Sequence, residues 1–256
     1  MNYKKSKYYT ASNKNRIKYL FLNKKSQITV VFFHGFMSDM LGAKPTAIHK
    51  LCKKIGVNFL TFEYSGHGKS GGNFTDGNIS SWTNEAKELI KLKIKKSKNL
   101  IFIGSSMGSW IALNLFKTFK NKIKGFIGIA SAPEFLEELM WKKFSKKIKK
   151  IILDKKIYYL DNGEYTYPIT KQLIFDGRKN KVLNYNINLP IMMTLFHGTN
   201  DKVVPLFFSK NILKICKKSK KKLIIIKNGN HSLSRKNDLK KICKELNYIL
   251  SSIKQP

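Results

Sequence analysis

From residue 28 onward, short runs rich in β-branched and aromatic residues alternate with longer stretches whose apolar positions recur at helical spacing. The runs at 28–33, 58–62, 100–103, 123–130, 191–196 and 223–226 predict strands. The stretches at 46–55, 79–93, 107–119, 206–216 and 236–253 predict helices between and after them. Strand, helix, strand in repeated order predicts parallel pairing through crossovers, and hence a mostly parallel, doubly wound α/β sheet. RIKYLFL, at residues 16–22, adds a strand ahead of the series.

One region breaks the alternation. Residues 133–190 hold two prolines at their ends and no run that continues the sheet, which is too long for an ordinary connection. The pattern therefore predicts a core of residues 1–133 and 190–256 with a cap or lid, 134–189, inserted after the strand at 123–130. Within it Trp141, Phe144, Ile148 and Ile151 fall at roughly helical spacing with lysines on the other faces. Such a stripe reads first as a cap helix packed on the core. An apolar lid over an acyl pocket, or a helix resting on a membrane surface, is the sharper alternative.

Composition narrows this picture. The chain has 256 residues with 42% hydrophobic and 12% aromatic content, enough for one sizeable core and too apolar for a disordered chain. Fifty Lys and Arg against fifteen Asp and Glu give a formal charge of +35. Lysines occur in every segment, and Asn and Ile are also abundant, which points to a compositional bias. A selected anionic partner, such as an anionic membrane surface, stays open. No finger motif or RNA-binding signature accompanies the charge, so no nucleic-acid partner is expected. Three widely spaced cysteines, Cys52, Cys216 and Cys243, predict neither a disulfide framework nor a zinc site and fit a reducing compartment. The basic opening holds no apolar run of signal-peptide length, and nothing later approaches a membrane span. The cytoplasm is the expected location.

The chemistry concentrates at GSSMG, residues 104–108. A glycine-flanked serine between the apolar run NLIFI and the helical stretch SWIALNLF fits a sharp strand-to-helix turn, where small neighbours let the two elements close around an exposed hydroxyl. Ser106 is the expected nucleophile. A serine needs a base, and the base needs an orienting acid. Two histidines follow it. His231, in NGNHSLSR between a strand and the last helix, is the expected base; His197, at the end of a strand in LFHG, is read as structural. Asp201, in the loop of HGTNDKVVP, is the expected acid, whereas Asp154, Asp161 and Asp176 fall in the cap. An oxyanion requires two backbone donors: the N–H of Met107, next to the serine, and that of Phe36, after the turn in HGFMSDM. His34 reads as a buttress of that loop. The glycine-rich YSGHGKSGG lacks the spacing of a phosphate cradle, and His67 within it reads as structural.

Assembled, HGFMSDMLGAK, FEYSGHGKSGGNFTDGNISSW, GSSMGSW, HGTNDKVVP and NHSLSR resemble, in order and from about residue 28 to 250, the α/β-hydrolases. The resemblance is to the subgroup of palmitoyl-protein thioesterase, also described as acyl-glucuronide esterase, and its bacterial relatives. It implies an α/β-hydrolase fold with a helical cap, Ser106, Asp201 and His231 as catalytic residues, and Phe36 and Met107 as oxyanion donors. Two departures stand out: Ser109 replaces a glycine usual in the subgroup, and the lysine-rich cap diverges most.

The expected function is hydrolysis of carboxylic esters or thioesters of small-molecule or acylated substrates through an acyl-enzyme, with no metal or organic cofactor. Long-chain acyl-protein thioesterase and small-molecule carboxylesterase are the two forms it could take. A non-catalytic binding protein of the same fold, and a basic surface protein recruited to anionic membranes or acyl-CoA with hydrolysis incidental, are the rival classes.

Overall fold

The computed structural model describes residues 6–161, 163 and 165–254, so the basic opening at 1–5 and the last two residues of the expected core lie outside the described residues. Eight strands form one sheet in the order β1-β2-β4-β3-β5-β6-β9-β10. They are β1 (Lys7–Thr10), β2 (Arg16–Leu22), β3 (Ile28–Phe33), β4 (Asn58–Phe62), β5 (Asn99–Ser105), β6 (Ile123–Ile129), β9 (Met192–Gly198) and β10 (Lys220–Ile226). The hairpin of β7 (Ile157–Asp161) and β8 (Thr166–Thr170) stands apart as a second, two-stranded sheet. From β4 to β10 neighbouring strands pair in parallel; β1 and β2 add an antiparallel edge.

All six residues of β3 and all five of β4 are buried, as parallel strands covered on both faces must be. Their side chains alternate between two cores. Val30 and Phe32 join Ile48 and Cys52 of α1 (Ala43–Ile55) and Leu246 and Ile249 of α8 (Lys236–Lys254). Val31 and Phe33 join Trp82 and Leu89 of α2 (Ile79–Lys93), Trp110 of α3 (Met107–Asn114) and Phe208 of α7 (Phe207–Ile215). The sheet is thus wound on both faces. After β3 the chain passes to β4 on one side and then, through α2, to β5 on the other. The carboxyl ends of β3 and β5 therefore flank the crevice of a topological switch point.

The structure corrects the sequence reading in three places. The helix expected over 107–119 breaks at Leu115 into α3 and α4 (Phe116–Phe119), because the Leu115 N–H donates to Ala112 three residues back, at 3.1 Å. The tightened turn brings Phe116 and Phe119 onto the Phe102 ring. β10 begins at Lys220 instead of 223, its start hidden by three exposed lysines on an edge strand. And the stripe Trp141, Phe144, Ile148 and Ile151 does not lie on one helix. A π-helical turn (Leu136–Met140) and a 3₁₀ turn (Trp141–Lys143) come first. Phe144 is extended, and the Ser145 hydroxyl then accepts the Ile148 N–H to start α5 (Lys146–Lys155).

From α5 the chain enters the β7–β8 hairpin and then α6 (Lys171–Lys179), whose Leu173 and Ile174 pack into the larger core. Side chains bind this region to the sheet's helices. Asp176 accepts both the N–H and the hydroxyl of Ser80, and the Trp110 indole donates to the Asn180 carbonyl at 2.7 Å. Buried Glu134, at φ +60°, takes the N–H groups of Val182 and Leu183 on one carboxylate oxygen.

Candidate active site

Ser106 stands between β5 and α3 at φ 52°, ψ −120°, a backbone conformation that costs an L-residue energy and persists only where its surroundings enforce it. Here they do: the Ser106 N–H donates to Ile129 of β6, and its carbonyl accepts from Ser109 and Ala132. The turn needs a bare glycine at 104, where a methyl group would lie 2.4 Å from the Cα of Ser109. Ser109, the departure from the usual glycine, fits because its hydroxyl is used locally. It donates to the Gly104 carbonyl and accepts from Ser131, both at 2.8 Å.

The structure brings the three residues read as nucleophile, base and acid into one line. The Ser106 hydroxyl lies 3.1 Å from His231 Nε2, and His231 Nδ1 lies 2.9 Å from Asp201 Oδ2. With Nδ1–H donating to the carboxylate, the lone pair on Nε2 faces the Ser106 hydroxyl. Asp201 follows β9, and its other oxygen accepts the N–H groups of Val203 and Val204. Burial pushes the Asp201 pKa up. The hydrogen bond and charge of His231, then the two backbone N–H groups, outweigh that and hold it below the usual aspartate value.

His197 is a spacer beneath this line. It is buried, receives the Ser209 hydroxyl on Nδ1 and donates from Nε2 to the Val204 carbonyl at 2.9 Å. Its burial lowers its pKa, so it stays neutral 3.7 Å from Asp201.

On the other side of Ser106, a methyl placed on Gly35 would lie 3.4 Å from the serine Cβ, so the turn after β3 runs directly against Ser106. His34 is wholly buried; its Nδ1–H donates to the Gly35 carbonyl at 2.8 Å and its Nε2 accepts the Tyr64 N–H at 3.4 Å. Burial first, then the nearby His67, keeps its pKa well below normal and the ring neutral. Fixing the Gly35 carbonyl fixes the same peptide's other end, the Phe36 N–H. The Phe36 ring sits among Phe74, Trp82, Phe135 and Tyr167, with centroid separations of 5.1 to 6.5 Å. Met107 opens α3, where the first N–H groups have no intrahelical acceptor.

A cavity of about 470 Å³ opens on Ser106 and His231. Its lining mixes polar Ser38, Asp39, Lys44, Ser232 and Ser234 with apolar Phe32, Phe36, Ala43 and Pro45. Sequence alone does not single out Lys44, one of fifty Lys and Arg residues. Among the described residues no group of three or more His, Cys, Asp and Glu side chains could hold a metal ion, and no helix is long and apolar enough to cross a membrane.

Comparison with known proteins agrees with this construction. Residues 24–172 match the Hydrolase_4 family, described as serine aminopeptidase, S33. The chain is 26% identical over 213 residues to the mitochondrial palmitoyl-protein thioesterase ABHD10 of Bos taurus, covering 82% of this chain and 69% of that protein. Among solved structures, a hydrolase from Agrobacterium vitis S4 superposes with a TM-score of 0.90 at 28% identity, covering 95% of this chain and 98% of the other. Mouse α/β hydrolase domain-containing protein 10 gives 0.85 at 25% identity, covering 97% and 99%. The chain is a serine hydrolase of the α/β-hydrolase fold and belongs to the Hydrolase_4 family.

Proposed function

We propose that the protein cleaves carboxylic esters or thioesters through an acyl-enzyme on Ser106, with His231 as general base and acid and Asp201 holding the imidazole. The observation that carries this reading is the unbroken hydrogen-bonded line from Asp201 through His231 to the strained Ser106. His231 takes the serine proton as the hydroxyl attacks the acyl carbon. The N–H groups of Phe36 and Met107 receive the oxyanion. The proton on His231 Nε2 then goes to the leaving group, and water attacks the acyl-enzyme by the same route.

We further propose that residues 134–189 act as a cap over the acyl side of the site. What supports it is the aromatic enclosure of Phe36, to which that region contributes Phe135 and Tyr167. Similarity to the ABHD10 palmitoyl-protein thioesterases favours a long acyl chain on a thioester over a small ester. Three free cysteines, two of them buried, fit a reducing compartment, and we place the enzyme in the cytoplasm. The ABHD10 relatives are named mitochondrial, so cell fractionation decides between the two.

The reading is tested by hydrolysis of acyl esters and acyl thioesters of increasing chain length, each beside Ser106→Ala. Rates that rise toward long-chain thioesters and vanish in the variant are expected. Turnover retained without the serine hydroxyl would overturn the assignment.

A further inference from the structure

The catalytic cavity contains a cation that the triad does not use. Lys44 is the second residue of α1, half-buried, and lines the same cavity as Ser106 and His231. Its Nζ donates to the Ser232 carbonyl at 2.5 Å and to the Ser234 hydroxyl at 3.2 Å. Both partners are neutral, and among the described residues no carboxylate lies within ion-pair distance of it. Asp39, the acid in that lining, is engaged with the Leu41 N–H at 2.6 Å. A cation in a helix's first turn also faces the positive end of the helix dipole. Burial accordingly pulls the Lys44 pKa down to about 8. A half-shielded ammonium group with no carboxylate in ion-pair distance gains a charge-assisted partner when an anion enters the cavity beside it.

Its place in the reaction follows from its tether. In the mechanism above, the leaving group departs with the proton carried by His231 Nε2, so it must lie on the histidine's side of the acyl carbon. Lys44 is bonded to the residue that follows His231. The acyl side, by contrast, is marked by the aromatic rings around Phe36. The cation therefore stands beside the loop that carries His231, whereas Phe36, which lines the same cavity, backs onto the aromatic rings.

We propose that Lys44 is a specificity-determining residue that selects esters or thioesters whose leaving group bears a carboxylate or a phosphate. The proposal rests on the triad reading above and names the leaving-group class that reading leaves open.

The test compares three hexanoyl esters that share the acyl group: those of 4-hydroxybenzoate, of 4-hydroxyphenyl phosphate and of neutral 4-hydroxybenzamide. Each is hydrolysed by wild type, Lys44→Met and Lys44→Arg, with Ser106→Ala beside them. Dividing each anionic kcat/KM by the neutral one, and comparing that ratio between variants, cancels the intrinsic reactivity of the phenols. The ratio is expected to fall about tenfold or more in Lys44→Met, mainly through KM, and to be largely kept in Lys44→Arg. The arm showing the larger fall identifies carboxylate or phosphate as the preferred anion. An unchanged ratio in Lys44→Met, even with all rates lowered in common, would overturn the proposal and leave Lys44 as a tether. Activity that survives Ser106→Ala would instead overturn the triad reading beneath it. A second measurement needs no Lys44 variant: wild-type hydrolysis of the benzamide ester in the presence of benzoate or of benzamide. Competitive inhibition by benzoate well above that by benzamide is expected, and equal inhibition by the two would contradict an anion subsite.

Discussion

Gly108 and Phe33 meet backbone to backbone: a methyl group on Gly108 would lie 2.2 Å from the Phe33 carbonyl oxygen and 2.5 Å from that of His34. The first turn of α3 is thereby pressed against the end of β3, and this contact sets the distance between Ser106 and the turn that carries Phe36. Gly108→Ala forces the two apart. Overpacking of this kind destabilises by about 1–3 kcal/mol, so the melting temperature should fall. The folded fraction that remains should turn over slowly because the serine no longer faces the Phe36 N–H. Wild-type kcat in the folded variant would show that this contact does not position the site.

Asp201 anchors His231 through one oxygen and its own loop through the other. Asparagine keeps the shape and can still accept a backbone N–H. Its amide donates, however, where the carboxylate accepted, which favours the imidazole tautomer whose Nε2 carries the proton. Asp201→Asn should lower kcat by about 10⁴-fold while leaving the melting temperature near wild type. Stopped-flow acylation kinetics measure the first and calorimetry the second. A loss of tenfold or less would mean that His231 is oriented by something else.

The buried histidines predict how stability depends on pH. His67 is buried among Tyr64, Phe74 and Trp82, its Nδ1–H donates to the Ser65 carbonyl, and burial pulls its pKa down to about 4. In the unfolded chain it titrates near 6.5. Between those two values the unfolded state binds a proton that the folded state refuses, so stability falls as pH falls, by up to about 3 kcal/mol for this residue alone. His34 and His197, also lowered by burial, act with the same sign. Denaturant unfolding at pH 7, 6 and 5 should show stability decreasing toward acid. In His67→Gln the slope below pH 6 should be shallower by roughly 1 kcal/mol per pH unit. An unchanged slope would mean that the folded protein accepts the proton at His67.

Glu134 clamps the return of the 134–189 region by taking two N–H groups on a single oxygen. Glu134→Ala leaves those buried donors unpaired, at a cost of about 1–3 kcal/mol each, whereas Glu134→Gln retains an acceptor. Limited proteolysis should cut Glu134→Ala within 134–189 well before wild type or Glu134→Gln. Equal resistance in all three would show that the clamp does not hold the region down.

What the sequence makes legible is what a short window encodes. β3 and β4 are runs of buried residues and announce themselves, as do the strand, sharp turn and helix around Ser106. Asp201 and His231 each follow a strand of the parallel series, so topology alone directs both toward the same edge of the sheet. Elements stabilised by distant partners are not legible in this way. β1 is four residues long and mostly exposed, and it exists because it pairs with β2. β7 and β8 lie in the polar, tyrosine-containing part of residues 134–189 and carry little hydrophobic alternation. The stripe from Trp141 to Ile151 is misleading because Ser145 caps a new helix midway, a local preference that overrides apolar spacing. Lys44 is the extreme case, since its two acceptors lie 188 and 190 residues along the chain.

Acylation of Ser106 is the step on which the proposed hydrolysis depends. The most direct measurement is peptide-level mass spectrometry after reaction with a fluorophosphonate, which forms a stable adduct with an activated serine. We predict one adduct per chain, on the peptide carrying Ser106, with labelling strongly slowed in His231→Ala. An unlabelled Ser106 peptide, or labelling that proceeds as fast without His231, would mean that Ser106 is not activated by His231.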